Sequence, residues 1–298
     1  MKKTTLFRKL MLDKEIFVIP GCHDALSAKI VELVGFKAVT MGGYAASAAS
    51  LAKPDVSLLT LTEYVNIARN IVQAVDLPFF VDGDTGHGNV TNVGRTVREF
   101  EHAGVAALFI EDQVFPKRCG HMEGKQIIST AEMVAKVKAA VDARVDNDLV
   151  IMARTDAIAV YGIDDAIDRA NRYREAGADL IFVEAPRSVA EMRRINQEVD
   201  APTLAIQIEG GKTPLVTTGE LEEFGFNVVV YPNATVYATA WALKGLWETL
   251  KKEGTTRSYT DRMIRFDDFN TLVGLDKIRE RETFYYHDLF ESLQNQNK

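Results

Sequence analysis

Two groups of side chains in this chain have the types and spacing that chemistry needs. The first is Cys119 in FPKRCGHMEGK (115–125), with Lys117, Arg118 and His121 within two positions of the thiol. Neighbouring positive charge favours the thiolate, or a proton that is readily transferred. A loop cysteine without a role is the plain alternative, and residue chemistry alone leaves both open. The second group is acidic: Asp82 and Asp84 in DGDTGHGN, Glu111 and Asp112 in FIEDQ, Asp156 beside Arg154 and Thr155 in ARTDA, and Glu184 in VEAP. Asp82, Asp84 and Glu111 follow on fully apolar runs, where an unpaired buried carboxylate costs several kcal/mol. Arg154 can pair with one of Asp82, Asp84 and Glu111 but cannot neutralise all of them. An oxygen-ligated Mg²⁺, or Mn²⁺, with few protein ligands and several waters accounts for the surplus. DGDTGHGN lacks the GK[ST] of a phosphate-binding loop and does not give GxGxxG, so its glycines read as a tight turn bringing Asp82 and Asp84 together. Cys22, in GCHD, reads as structural.

Positioning these residues requires a repeated scaffold. Apolar or β-branched runs occur at 16–20, 37–41, 78–84, 106–112, 149–155, 180–185, 203–208 and 227–232. Segments of helical spacing separate or follow them at 25–34, 62–74, 90–103, 131–143, 164–176, 189–198, 218–224 and 235–252, several ending in a glycine stop. Continuous apolar strands alternating with helices indicate a parallel sheet buried on both faces. Eight such units close most naturally into a (β/α)8 barrel of the TIM type, with a doubly wound open sheet as the alternative. In a barrel the reacting groups sit at the C-terminal ends of strands, which is where the charges collect. No linker rich in Pro, Gly or Ser divides residues 1–298, so one domain is expected, with a helical extension from about 255 to 298 that caps the barrel or joins subunits.

Composition narrows the partners. A net charge of -7 argues against a nucleic acid or an anionic membrane as the main partner and leaves small molecules. The start, MKKTTLFRKLMLDKEIF, has no uninterrupted apolar segment, and no later run reaches the roughly 18 apolar residues of a membrane span. Two cysteines give neither a disulfide framework nor a CxxC pair, which suits a reducing compartment, and the chain reads as cytoplasmic.

Taken in order, DxDTGxGN, IEDQxxPKRCGHxxGK, ARTDA, EGGKTP and FDxFNxLVGL resemble the isocitrate lyase/phosphoenolpyruvate mutase superfamily over nearly the whole chain. Within it they resemble the short lyases acting on 2-methylisocitrate and 2,3-dimethylmalate. The resemblance implies a (β/α)8 barrel whose eighth helix is exchanged between paired subunits, usually in a homotetramer. It implies Asp82 as direct Mg²⁺ ligand, Asp84 and Glu111 holding the ion through water, and Asp55 nearby. Arg154 would bind a substrate carboxylate and Glu184 would help to fix the substrate, with Gly120 and His121 of KRCGH beside it. Cys119 would protonate the departing carbanion, which suits a thiol of lowered pKa. Tyr44 and a metal-linked water are candidates for the base.

Retro-aldol cleavage of a substituted 2-hydroxydicarboxylate to pyruvate and a carboxylic acid is the implied reaction. Oxaloacetate hydrolysis or decarboxylation, a phosphonate-acting mutase and a non-catalytic carboxylate binder are the alternatives. Two positions depart from the superfamily pattern. MGGY (41–44) puts Met41 where a serine is usual, leaving the backbone amides of Gly42 and Gly43 for a carboxylate. Ile206 stands where the lyases have asparagine, which disfavours a second carboxylate there and tilts the expectation towards dimethylmalate-like acids.

Overall fold

The structure is a computed structural model; it describes residues 1–296, with side chains described to residue 287. The last two residues of the expected extension therefore lie outside the described residues. Eight strands form: β1 Phe17–Pro20, β2 Val39–Met41, β3 Phe79–Asp82, β4 Ala107–Glu111, β5 Val150–Thr155, β6 Leu180–Val183, β7 Thr203–Ile206 and β8 Val228–Tyr231. All pair in parallel in the order β1-β8-β7-β6-β5-β4-β3-β2, and a bridge between Gly21 and Thr40 brings the two ends together. This is the TIM-type barrel; that bridge, joining the ends of an order in which β1 already pairs with β8, excludes the open sheet.

The helices are α1 Lys3–Met11, α2 Ala25–Val34, α3 Gly43–Leu51, α4 Leu61–Ala74, α5 Val90–His102 and α6 Thr130–Ala143. They continue as α7 Ile163–Glu175, α8 Val189–Glu198, α9 Thr218–Phe224, α10 Ala234–Glu253, α11 Phe266–Leu272 and α12 Leu275–Gln296. Starts follow local chemistry. Asp24, Thr60, Asn89 and Thr217 each accept backbone N–H groups as N-caps, and Gly35 and Gly225 stop α2 and α9 in the left-handed region.

Two elements were not foreseen. α1 carries Phe7 and Met11 into the barrel, where the Phe7 ring lies 5.4 Å from that of Phe17. α3 begins at Gly43, in a stretch that the sequence assigns to a loop.

Side chains of a strand alternate between its faces. Phe17, Phe80, Phe109, Met152, Phe182, Leu204 and Val228 therefore fill the barrel interior, while a second cluster packs between strands and helices. The chain forms two compact units, Met1–Ala238 and Thr239–Lys298, where the sequence reading placed the start of the extension near 255. The first unit contains all the residues described next.

Candidate active site

One step beyond the apolar interior layer, the same inward-facing positions become polar. Two residues after Phe80, Phe109, Met152 and Phe182 stand Asp82, Glu111, Arg154 and Glu184, all buried. On the next two strands the corresponding residues stay apolar: Ile206 after Leu204 and Val230 after Val228, both lining the cavity, with Ile208 and Pro232 beyond them.

The acidic side is organised by backbone as well as charge. Asp84 adopts φ 49°, a left-handed conformation that Asp tolerates, and its N–H donates to Asp82 Oδ1 at 2.8 Å. Asp82 Oδ2 accepts the Gly43 N–H at 2.9 Å, so this amide, expected to serve substrate, is engaged by a carboxylate instead. A Cβ on Gly43 would lie 2.7 Å from the Tyr64 hydroxyl and 2.8 Å from the Lys117 ammonium, so only glycine fits there.

Lys117 corrects the sequence reading. Its side chain is not part of a basic cradle for Cys119: the buried ammonium lies 2.9 Å from Asp55 and Asp84 and 3.8 Å from Asp82. Burial opposes its charge, yet the four surrounding carboxylates, Glu111 the farthest in influence, hold its pKa well above the ordinary value. Arg118 is exposed and bonds to the Glu123 carbonyl, so it does not cradle the thiol either.

Both Glu111 carboxylate oxygens are buried without a hydrogen-bond donor, and burial pushes its pKa well above the usual range despite Arg154 at 3.3 Å. Burial likewise pushes Asp84 up to about 7, with Lys117 opposing. One ammonium thus stands among Asp55, Asp82, Asp84 and Glu111. These oxygen donors fit a hard divalent cation that keeps several of its waters. Among the described residues no three His, Cys, Asp or Glu side chains are gathered closely enough to enclose a metal ion by themselves.

Arg154 is held from several sides. Its Nε and Nη2 donate to the two oxygens of Asp156 at 3.0 and 3.1 Å, and Glu184 lies 3.7 Å from Nη2. The sequence places Asp156 among the acids beside Arg154 but gives it no partner; in the fold it grips Arg154 and also Lys125, at 3.0 Å. Asp112 supports it from behind, accepting the Asp156 N–H at 2.9 Å and the hydroxyls of Thr155 and Tyr173 at 2.7 and 2.8 Å. Local spacing gave no sign of these partners, because residues 112, 125 and 173 meet only in three dimensions.

The loop of Cys119 is closed over the cavity. The Cys119 N–H donates to the Asp55 carbonyl at 3.1 Å, Lys117 N–H to Ser57 Oγ at 2.9 Å, and Arg118 N–H to Gln113 Oε1 at 3.0 Å. His121 Nδ1 accepts the Lys212 N–H at 2.8 Å, which ties the loop to EGGKTP, and Nε2 stands 3.3 Å from Glu184. A Cβ on Gly120 would lie 2.0 Å from Glu184 Oε1 and 2.4 Å from Arg154 Nη2, so the absent side chain lets this loop settle directly on them. The expected low thiol pKa is corrected as well. Burial, opposed by the His121 backbone N–H, pushes Cys119 up to about 11, so the thiol keeps its proton.

Cys119, Gly120, Tyr44, Gly42, Gly43 and Ile206 all border one cavity of about 50 Å³, together with Asp55, Asp82, Arg154 and Glu184. Asp84, Glu111 and His121 stand immediately behind it. Met41 does not face it: it packs among the residues between strands and helices, and its neighbour Thr40 presents a side chain to the cavity instead. The hydroxyl thought lost at Met41 therefore has a counterpart one residue earlier, which strict alternation along β2 reveals. Tyr44 meets Tyr237, a residue the sequence did not single out, with ring centroids 5.9 Å apart. Burial and Tyr44 push Tyr237 up to about 12, so it is a neutral hydroxyl.

A parallel barrel that gathers acids and an arginine at the C-terminal ends of its strands, with a thiol on the loop above them, has the layout of a barrel enzyme. The comparisons with known proteins make the class specific. The family model for phosphoenolpyruvate phosphomutase matches residues 7–251. The chain is 51% identical over 285 residues to 2,3-dimethylmalate lyase of Eubacterium barkeri, covering 96% of this chain and 99% of that one. It is 45% identical over 275 residues to 2-methylisocitrate lyase of Halalkalibacterium halodurans, covering 89% and 91%. Among solved structures, oxaloacetate acetylhydrolase with 3,3-difluorooxalacetate superposes with TM-score 0.91 at 30% identity, covering 95% and 97%. Phosphonopyruvate hydrolase with oxalate and Mg²⁺ superposes with TM-score 0.87 at 28% identity, covering 96% and 99%. The chain belongs to the phosphoenolpyruvate mutase/isocitrate lyase superfamily.

Proposed function

We propose that this chain is a carbon–carbon lyase that cleaves the C2–C3 bond of a substituted malate of the 2,3-dimethylmalate type, giving pyruvate and a carboxylic acid. One observation carries the reading: the thiol of Cys119 is held by its loop at the edge of a cavity that is acidic and cationic on one side and apolar on the other. Its proton is available at neutral pH to a carbanion, which is a far stronger base than a thiolate.

Asp82 would hold Mg²⁺, with Asp84 and Glu111, whose Oδ1 and two carboxylate oxygens are buried without hydrogen-bond partners, engaging it through water and Asp55 nearby; a phosphonopyruvate hydrolase carries this ion with oxalate. When bound, the ion supplies Lewis-acid polarisation at the substrate's 2-oxygen and the adjacent carboxylate. The protein's own groups do the rest. Arg154, fixed by Asp156, binds a substrate carboxylate, and Glu184 and His121 help to orient the substrate. The 2-hydroxyl proton departs to a base, Tyr44 or a water; the C2–C3 bond breaks as the C2 carbonyl forms; the Cys119 Sγ–H then protonates C3. The closed loop excludes water from the carbanion while this happens.

Substrate preference follows from Ile206. It stands with Ile208 and Val230 at the side of the cavity where the leaving fragment would lie, and an apolar wall favours a methyl group over a further carboxylate. A screen of substituted malates with Mg²⁺, assaying pyruvate and glyoxylate separately, tests this. A much higher kcat/KM for methylisocitrate than for 2,3-dimethylmalate would defeat the Ile206 argument.

The likeness to oxaloacetate acetylhydrolase favours one second reading, cleavage of oxaloacetate, which a separate incubation with oxaloacetate, assayed for oxalate plus acetate, would reveal. For the assembly, a homotetramer of dimers exchanging the eighth helix remains the proposal. It is supported by α10, which carries Trp241 and Trp247 at 72% and 57% exposure and has no buried side chain. Light scattering on the purified protein checks the stoichiometry. The setting proposed is cytoplasmic: Cys22 and Cys119 are free thiols, and among the described residues no helix is long and apolar enough to cross a membrane.

A further inference from the structure

Lys125 closes FPKRCGHMEGK, six residues after Cys119, yet its ammonium returns to the centre of the site. It donates to the Gly120 carbonyl and to Asp156 Oδ1, the latter at 3.0 Å, and its side chain is 1% exposed. Asp156, fully buried, uses the same carboxylate to hold Arg154 through two N–H bonds. Gly120, the other partner of Lys125, adjoins Cys119 and packs against Arg154 and Glu184 so closely that no side chain fits.

We infer that Lys125 and Asp156 are positioning residues that act as one latch: Asp156 sets the pose of Arg154, and Lys125 fastens the loop of Cys119 to that same carboxylate. The acid can then sit over the cavity only when the group that grips the substrate is in place. A lysine suits the task because its compact ammonium has three donors, enough to bridge a carbonyl and a carboxylate. An ion pair on a surface loop would add little, but a buried charge that loses its partner is strongly disfavoured, which makes the closed loop a discrete state. Asp112 keeps the latch from drifting, since it holds the Asp156 backbone N–H at 2.9 Å.

This inference rests on the reading of Cys119 as the acid, so its test includes a measurement that needs no turnover. Cys119 is alkylated with iodoacetamide in the full-length protein, with and without oxalate and Mg²⁺, and peptide mass spectrometry separates it from buried Cys22. In Lys125→Met and Asp156→Asn, two near-isosteric changes on opposite sides of the pair, alkylation rises about tenfold, roughly the worth of one charged hydrogen bond. Oxalate protects the wild type and protects the variants less. In turnover of the preferred malate, Lys125→Met lowers kcat about 100-fold with KM little changed, because a misplaced acid affects the chemical step. Asp156→Asn lowers kcat and raises KM together, because Arg154 loses its aim.

Unchanged alkylation in Lys125→Met overturns the inference. So does a fall in kcat without faster alkylation, which would make Lys125 only a support of the fold, and so does faster alkylation with full kcat, which would separate loop closure from acid delivery. If wild-type protein turns over neither substituted malates nor oxaloacetate, the lyase reading fails, and the alkylation arm alone decides the latch.

Discussion

The two sides of the cavity are built from the same structural layer and differ in chemistry. On β3 to β6 the residues two positions beyond the interior aromatic and methionine layer are Asp82, Glu111, Arg154 and Glu184; on β7 and β8, beyond Leu204 and Val228, they are Ile206 and Val230. All six are parallel strands of one sheet, so the contrast lies in their side chains. It divides the labour between handling charge and receiving an apolar fragment, with Cys119 between them on its loop. A barrel permits this because each strand contributes to the rim independently of its neighbours.

The most severe way to break the contrast is to remove the group that stands between the halves. Cys119→Ser is expected to lower kcat by about 10³-fold, within the range for loss of a general acid, while KM and Mg²⁺ affinity stay close to wild type. Steady-state kinetics and calorimetry read both, and a kcat within a few-fold of wild type would leave Cys119 a bystander.

The charged half is tested by Lys117→Met. Removing one partner of a buried ion pair costs about 3 kcal/mol or more, here because Asp55 and Asp84 lose their common counterion. Thermal denaturation should show the loss, and millimolar Mg²⁺ should restore part of it by binding the native state. No recovery with Mg²⁺ would argue against these carboxylates as its site.

For the apolar half the change is Ile206→Asn. The ratio of kcat/KM for methylisocitrate to that for 2,3-dimethylmalate should rise about tenfold, at the low end of what one side chain in a pocket achieves. A ratio that stays put would place the leaving fragment elsewhere.

The smallest effect is on acidity. With its pKa raised by burial, Cys119 stays protonated through neutral pH and loses its proton only near pH 11, so its alkylation rate should climb towards that pH rather than level off near 9, the ordinary thiol value. A plateau at 8 to 9 would mean that the thiol is not desolvated as the closed loop requires.

Much of this organisation was legible in the chain. The apolar runs gave all eight strands, and helical spacing with glycine stops gave the helices between them, because both signals are local. Alternation along a strand also carries over directly: it places Asp82, Glu111, Arg154 and Glu184 on one face, and applied to β2 it selects Thr40 over Met41. α1 and α3 were missed, since an amphipathic start and a glycine-led turn resemble loops until packing supplies their partners.

Charge was the harder property. From sequence neighbours alone, Lys117 and Arg118 belong to Cys119; in the fold, one ammonium turns into the acids and the other side chain points to solvent. Proximity along the chain sets which groups can meet. Burial sets what their meeting does, because desolvation acts on every ionisable group at once and outweighs a charge two residues away when that charge points elsewhere. The chain by itself therefore determined the barrel and the side chains on its rim. Only the tertiary structure decided that Cys119 holds its proton, that Lys117 serves the carboxylates, and that Asp156 joins Arg154 to Lys125.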